Sequence, residues 1–526
     1  MEFQSILFAD TPMELDRSMP AFFQDLQLDY ILNIIKHHTT GDYQTDHYYY
    51  TLPGSLQLVN YRQQVFRDLM DGVLRQAVED FCSGMRQSRH SYMLSLECDE
   101  PVRAAVYHLE AALSYWEALE KFGDCLDSFK PVSSGISLLK EYVLNHIAEC
   151  NENGFSGAAA GAKEIFSQMC FYMDLNNEGV TINVKDNTED NTETREERDY
   201  LAELAGLLQA DGNGTDNQTV LKNIFPNALE PSYLENALVK LLKKSNPGVF
   251  KEIQLFYKNY KDFYPEKLLR FEEEVQFYLG FISFKEKTEA HGSRMAVPKV
   301  TDQVISAEDN GFRGSGIYDI ALVWKSAGRD YKVVSNDFCF GSHPSFFVVT
   351  GPNQGGKTTF ARSVGQAVYF SLMGLPANAA LFITPLFKGI STHFEAEEKI
   401  QSNSGKLKEE IDRLAPMMKQ DNRCNFVILN ELFTTATTND ALVMGKKVMA
   451  HFLGMDCYGI YVTHIQELAE ETENITSLVA QVEDNSPDME RTYRIMRMEA
   501  QGYGYTEPLV RKFQLRYEDI INKVGD

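Results

Sequence analysis

Apolar residues recur at helical spacing through the first half of the chain and give way to short contiguous apolar runs in the second. Val65, Leu69, Val73, Leu74, Ala77, Val78 and Phe81 form one such series, and Ala105, Leu109, Ala112, Leu113, Trp116 and Leu119 another. That period gathers each set on one helix face, so both regions are predicted helical. Pro53-Gly54 and Pro131 punctuate the pattern as loops. The polar stretch from Lys185 to Glu197 predicts a solvated loop or helix lead-in, and Asp211 to Asp216 a flexible connection. Neither has the alternating ligands and closing Glu of a calcium loop. Helices are expected again from about Ser232 to Phe284. No internal repeat of fixed period is evident.

Near residue 295 the pattern changes. Ile320 to Trp324, Tyr331 to Val334, Phe346 to Thr350, Phe426 to Leu429 and Tyr458 to Val462 are short β-rich runs, several of them separated by helical stretches. Strands alternating with helices predict an α/β domain with a largely parallel sheet. The expected fold class is therefore multidomain: an all-α region over residues 1–295 followed by an α/β domain over 296–526. A length of 526 residues agrees, being too great for one core.

Charge and cysteine usage narrow the partners. A formal net charge of -25 opposes nucleic-acid binding over most of the surface, while leaving room for a local basic patch. No apolar run approaches the ~20 residues a membrane helix needs, and the first residues lack a signal-peptide pattern. The cysteines are dispersed without a Cys-x-x-Cys pair. That pattern predicts a reducing, cytoplasmic setting with buried thiols.

The most specific signal follows the run Phe346 to Thr350. Gly351, Pro352, Asn353, Gln354, Gly355, Gly356, Lys357 and Thr358 fit G-x-x-x-x-G-K-[ST] position by position. Glycines let the backbone curl so that successive N–H groups face phosphate oxygens. Lys357 is placed to reach the β- and γ-phosphates and the Thr358 hydroxyl to ligate Mg2+. A helix expected from about Thr358 to Met373 aims its positive end at the same anion. ATP and Mg2+ are the implied cofactors. Such a loop needs an acidic strand end beside it. Asn425 to Glu431 supplies the candidate, and Thr463-His464 ends a separate strand, suited to sensing the γ-phosphate.

With these segments in order, the chain resembles the MutS family of DNA mismatch-repair and recombination ATPases, whose ATPase core is of the ABC type. The extended loop through Thr359, the leading Val334-Ser-Asn336-Asp337, Asn430-Glu431 with the Thr-rich loop to Asp440, Val462-Thr463-His464, and Gly502 to Tyr505 followed by Leu515 to Ile521 carry the likeness. It covers roughly residues 330 to 526. The resemblance implies a homodimer linked by nucleotide, each site completed by a serine-bearing segment of the partner subunit. Here that segment is Gln401 to Glu410, with Ser404 or Gly405 at the contact position. It also implies nucleotide contacts from the loop, Thr359 and Asp440. Glu431 is the residue expected to polarise the attacking water, with Lys357 and His464 assisting. Asn430 stands where the family has Asp and joins Thr358 at the metal. An amide binds a metal-bound water without adding negative charge, so slow turnover is expected. The position of the family's adenine-stacking aromatic falls at Val333, with Tyr331 nearby.

The chain opens with helices rather than a mismatch-reading α/β domain, and Phe271-Glu-Glu273 falls in a helical stretch. The expectation is a short MutS-like protein with core, lever and ATPase regions. Between residues 235 and 285, Lys243, Lys244, Lys251, Lys258 and Lys261 interleave with aromatics. This fits a sequence-nonspecific DNA clamp at the lever tips. It fits equally an amphipathic helix with a solvated lysine face. Two functions follow: a dimeric ATP-driven DNA clamp in repair or recombination, or a nucleotide-dependent protein-interaction switch with little hydrolysis and no DNA. A small-molecule P-loop kinase is disfavoured by the Asn-Glu strand end and the Thr-His pair, and a condensin-like ATPase by the absence of long heptads.

Overall fold

The computed structural model describes residues 2–9, 14–39, 41, 43–167, 171–176, 179–184, 243–244, 246–302, 311–329, 332–341, 343, 345–394, 406–419, 423–483 and 491–500. The segments 185–197, 211–216 and 232–242 of the sequence reading lie outside them. Helices α1 (Phe22–Asp25), α2 (Leu28–Lys36), α3 (Asp46–Tyr50), α4 (Leu56–Leu69), α5 (Gly72–Glu97) and α6 (Pro101–Ser128) come first. Next are α7 (Ser134–Glu152), α8 (Phe155–Ser167), the strands β1 (Phe171–Asn176) and β2 (Gly179–Val184), then α9 (Pro247–Asn259) and α10 (Glu266–Ala290). The antiparallel β1–β2 pair interrupts a region that periodicity predicts as wholly helical. Among the described residues no helix is long and apolar enough to cross a membrane.

The chain divides into two compact units, and the division does not follow chain order. One unit comprises residues 1–2, 72–130 and 138–272; the other comprises 3–71, 131–137 and 273–526.

In the first unit α5 and α6 pair as a hairpin. Glu100 caps α6 by accepting a hydrogen bond from the Arg103 N–H at 2.6 Å, and Pro101 supplies the fixed φ of the first helical position. Leu74, Val78, Phe81, Cys82 and Met85 of α5 are buried, with Phe81 stacked on Phe122 of α6. Phe250, Ile253 and Phe256 form the buried face of α9.

The second unit holds the sheets. Its elements continue with β3 (Lys299–Thr301), β4 (Arg313–Ile317), α11 (Ile320–Ser326), β5 (Asn336–Cys339), β6 (Phe346–Thr350) and α12 (Lys357–Leu372). Then come β7 (Leu381–Pro385), β8 (Ile390–His393), α13 (Lys406–Lys419), β9 (Phe426–Asn430), α14 (Thr438–Leu453), β10 (Tyr458–Val462), β11 (Ile475–Val482) and β12 (Arg491–Arg497). A six-stranded sheet has the order β12-β11-β6-β10-β9-β8, and a four-stranded sheet the order β3-β7-β4-β5. The larger sheet is parallel except for β12 at its edge. Phe346, Val348, Val427, Leu429 and Tyr461 alternate onto one face, against Leu414 and Met417 of α13 and Val448, Met449 and Phe452 of α14. On the other face α12 packs against β9 and β10. Both faces being covered explains why every residue of β6, β9 and β10 is buried.

Two expected strands are corrected. Ile320 to Trp324 is helical: the Asp319 side chain accepts from the Leu322 N–H at 3.2 Å and starts α11 there. A five-residue apolar run carries no period that separates the two outcomes. Residues 332–334 are not in a strand either; the strand begins at Asn336, where pairing with β4 becomes available.

The N-terminal segment belongs to the second unit through a buried cation. Arg62 of α4, fully buried, donates to the Leu7 carbonyl at 3.1 Å and the Met373 carbonyl at 3.4 Å. Its guanidinium also lies over the rings of Phe8 and Phe277. Gly374, at φ +77°, allows this approach: a Cβ there would meet Arg62 Cβ at 2.7 Å and the Val59 carbonyl at 2.9 Å.

Candidate active site

Three loops leave the same edge of the larger sheet. Val462 pairs with both Val349 and Asn430, so β6, β9 and β10 end at one level. Loops at the carboxyl ends of neighbouring parallel strands are where such folds build sites. The loop after β6 is Gly-rich, that after β9 begins with Glu431, and that after β10 begins with Thr463 and His464.

The Gly-rich loop has the curled backbone expected of a phosphate cradle. Gly351, Gln354 and Gly356 take φ of +122°, +59° and +91°, and the Gly355 N–H donates to the Pro352 carbonyl at 3.2 Å. The Gly351 backbone lies so close to β11 that an added Cβ would sit 2.9 to 3.1 Å from three atoms of Ala480. The helix that follows, α12, starts at Lys357, close to the predicted Thr358. The Lys357 ammonium donates to the carbonyls of Gly351 at 3.1 Å and Pro352 at 3.0 Å. Burial lowers its pKa below the ordinary lysine value, opposed by the nearby Glu431 carboxylate.

Thr358 and Asn430 meet across the sheet edge. The threonine hydroxyl donates to Asn430 Oδ1 at 2.9 Å, and Asn430 is buried at the last position of β9. Two neutral oxygens converging in this way suit a hard, oxygen-seeking cation such as Mg2+. Glu431 takes φ +53°, its N–H donating to the Val462 carbonyl at 2.8 Å. Its Oε1 lies 3.0 Å from His464 Nε2. That hydrogen bond is the main influence lowering the Glu431 pKa, with burial acting against it.

A cleft over the loop brings residues 353–359 together with Glu431, Asp319, Asn336, Val334, Ile317, Tyr318 and Tyr493. Val334 lines it where the sequence reading placed Val333. Asn336, from the leading segment Val334 to Asp337, borders the cleft, and Tyr493 is an addition that the sequence does not signal. Asn336 Nδ2 donates to the Tyr493 carbonyl at 3.1 Å and its Oδ1 accepts from the Ile495 N–H at 2.8 Å. Arg491, on β12 with Tyr493, donates from Nε to the Asn353 carbonyl at 2.8 Å. For Tyr493 and Arg491 an antiparallel edge strand with no motif of its own offers no local signal.

The other candidate positions are distributed differently. Asp440 sits in the first turn of α14, where Thr437 Oγ1 lies 2.7 Å from its carboxylate and accepts from its N–H at 3.2 Å. It is exposed and is not among the residues lining the cleft. Ser404, Gly405 and Tyr331 lie outside the described residues. In the first unit, Lys243, Lys244, Lys251, Lys258 and Lys261 are all exposed. The aromatics between them turn inward instead: His108 lies 4.7 Å from Tyr257 and 5.3 Å from Phe263, centroid to centroid, and its Nε2 is 2.9 Å from the Tyr260 carbonyl. Among the described residues no group of three or more His, Cys, Asp or Glu is arranged to hold a metal ion.

Comparison with known proteins places this edge in a family context. Residues 347–507 match the family profile described as MutS domain V. "DNA mismatch repair protein MSH6" of Arabidopsis thaliana is 31% identical over 158 residues, 30% of this chain and 12% of that protein. "Endonuclease MutS2" of Clostridium perfringens is 28% identical over 170 residues, 31% of this chain and 21% of that protein. "DNA mismatch repair protein MutS" of Thermotoga maritima is 27% identical over 152 residues, 28% of this chain and 19% of that protein. Each shared segment is a minor part of its relative's length. Over that segment the chain is MutS-like.

Proposed function

We propose that this MutS-like chain binds ATP with Mg2+ and hydrolyses it, working as a nucleotide-linked dimeric clamp on DNA in repair or recombination rather than as an ordinary mismatch reader. The observation that carries the reading is the convergence of Lys357, Thr358, Asn430, Glu431 and His464 at one sheet edge. In this reading the main-chain N–H groups of the Gly-rich loop hold the phosphates, helped by the positive end of α12. Lys357 exchanges the Gly351 and Pro352 carbonyls for phosphate oxygens. Thr358 and Asn430 present the oxygens that hold Mg2+, which when bound offsets phosphate charge. Glu431 polarises the attacking water, and His464, hydrogen-bonded to it, keeps its carboxylate ionised. Tyr493, Val334 and Ile317 offer the nucleobase an aromatic and aliphatic wall.

The remaining parts of the proposal concern partners. Ser404 or Gly405 of one subunit completes the site of the other, with Asp440 near the same junction. The exposed lysines of α9 and its neighbours contact DNA phosphates without reading sequence. The dispersed cysteines favour a cytoplasmic setting. A second reading, a nucleotide-dependent protein-interaction switch, draws on the neutral Asn430 and the net charge of -25. ATP hydrolysis measured without DNA and with duplex, mismatched and branched DNA decides between them, with Lys357→Ala as control. Stimulation by one DNA form, lost in the control, supports the clamp. Tight ATP binding with negligible turnover and no response to DNA supports the switch instead.

A further inference from the structure

The turn that carries Glu431 is held in a conformation its residues do not favour. Glu431 and Phe433 take φ of +53° and +62°, and neither is glycine. Each such residue costs on the order of 1–3 kcal/mol and persists only where its surroundings over-determine it. On the strand side the restraint is the hydrogen bond from the Glu431 N–H to the Val462 carbonyl at 2.8 Å. Beyond Glu431 the restraint comes from elsewhere in the chain. The Phe433 N–H donates to Glu410 Oε1 at 2.6 Å, a charge-assisted bond from a residue 23 positions earlier. Leu432 and Phe433 are buried at 2% and 3% exposure, so the turn has little freedom to find another acceptor.

Glu410 is well placed to act as an anchor. Its helix, α13, packs through Leu414 and Met417 into the core beneath β6 and β9, and Arg413 Nη2 donates to the Phe394 carbonyl at 3.0 Å. The contact made by the Glu431 side chain itself, to His464, is softer, because the His464 side chain is 45% exposed. Glu410 is not among the residues lining the cleft, whereas Glu431 is. We propose that Glu410 is a positioning residue for hydrolysis, fixing the direction of the Glu431 carboxylate through the Phe433 N–H. The inference rests on the reading of Glu431 as the residue that polarises water.

The test compares Glu410→Ala and Glu410→Gln in the full chain, by steady-state ATP hydrolysis and by amide exchange resolved by peptide. Loss of the acceptor in Glu410→Ala is expected to lower kcat by about 10–100-fold while leaving KM for ATP within about twofold. Exchange should quicken in residues 432–436 and stay unchanged in residues 351–358. Glu410→Gln keeps an acceptor oxygen and should restore most of kcat and of the protection. A Glu410→Ala chain with wild-type kcat and a turn as protected as before overturns the inference. So does a parallel fall of kcat, KM performance and global protection in both variants, which marks a merely structural residue. A wild-type chain without Lys357-dependent hydrolysis defeats the ATPase reading itself and this inference with it. That outcome is distinct from a hydrolysing wild type matched by its variant.

Discussion

Gly351→Ala is the substitution whose effect the geometry defines most closely. The added methyl would lie 2.9 Å from the Ala480 Cβ, 3.0 Å from its nitrogen and 3.1 Å from its oxygen. Two of these are backbone atoms of β11, a strand paired to β6 on one side and β12 on the other, so the neighbour has little room to yield. Alanine would also have to adopt φ +122°, which L-residues rarely take. Backbone strain and overpacking each cost on the order of 1–3 kcal/mol, giving about 2–6 kcal/mol together. Part of that cost is relieved by shifting the loop, which turns its N–H groups away from the phosphates. The expected result is a lower urea midpoint for the second unit and ATP binding weakened by at least about tenfold, equivalent to about 1.4 kcal/mol. Gly161→Ala provides the control: it lies within α8, with nothing within 4 Å of an added Cβ. It should stabilise by about 0.5–1 kcal/mol through helix propensity alone. A Gly351→Ala chain whose midpoint and ATP affinity match wild type would show that the approach to Ala480 does not constrain the loop.

Three further outcomes are expected. Because His464 is the main influence depressing the Glu431 pKa below its ordinary 4.5, stability from that pair is present above this value and is lost as pH falls through the folded pKa. His464→Ala should therefore move the acid limb of the ATPase pH profile upward; an unmoved limb would assign it to another group. Asn430→Asp places a carboxylate beside the Thr358 hydroxyl and should lower the Mg2+ concentration for half-maximal activity about tenfold, read by metal titration. Lys258→Ala with Lys261→Ala should flatten the slope of log affinity for duplex DNA against log salt by about 2, and an unchanged slope would remove those lysines from the interface.

The legible parts of the site share a feature: their chemistry lies in contiguous residues. Gly351 to Thr358, Asn430-Glu431 and Thr463-His464 each follow a short apolar run, and the structure shows all three runs as buried strands of one sheet. Register then brings their ends together, Val462 lying opposite both Val349 and Asn430 at the sheet edge where such folds build sites. The run Ile320 to Trp324 failed as a strand because its fate depended on a cap, Asp319, outside the apolar pattern. The lysines of α9 were legible as a solvated face, and the aromatics beside them became packing around His108.

The order of residues was enough to place the strands β6, β9 and β10, the Gly-rich, Asn-Glu and Thr-His segments at their carboxyl ends, and an amide rather than a carboxylate at position 430. Folding was needed to show that Tyr493 borders the cleft, that Arg491 grips the Asn353 carbonyl, and that Glu410 holds the turn behind Glu431. It also decided that residues 3–71 pack with the sheets, tied by Arg62 to Leu7 and Met373. The physical reason is one of range. Glycine torsions, strand ends and helix caps act over a few residues, so composition and spacing report them. A buried guanidinium or a carboxylate answering a distant N–H is specified only when folding brings together groups with no shared local pattern.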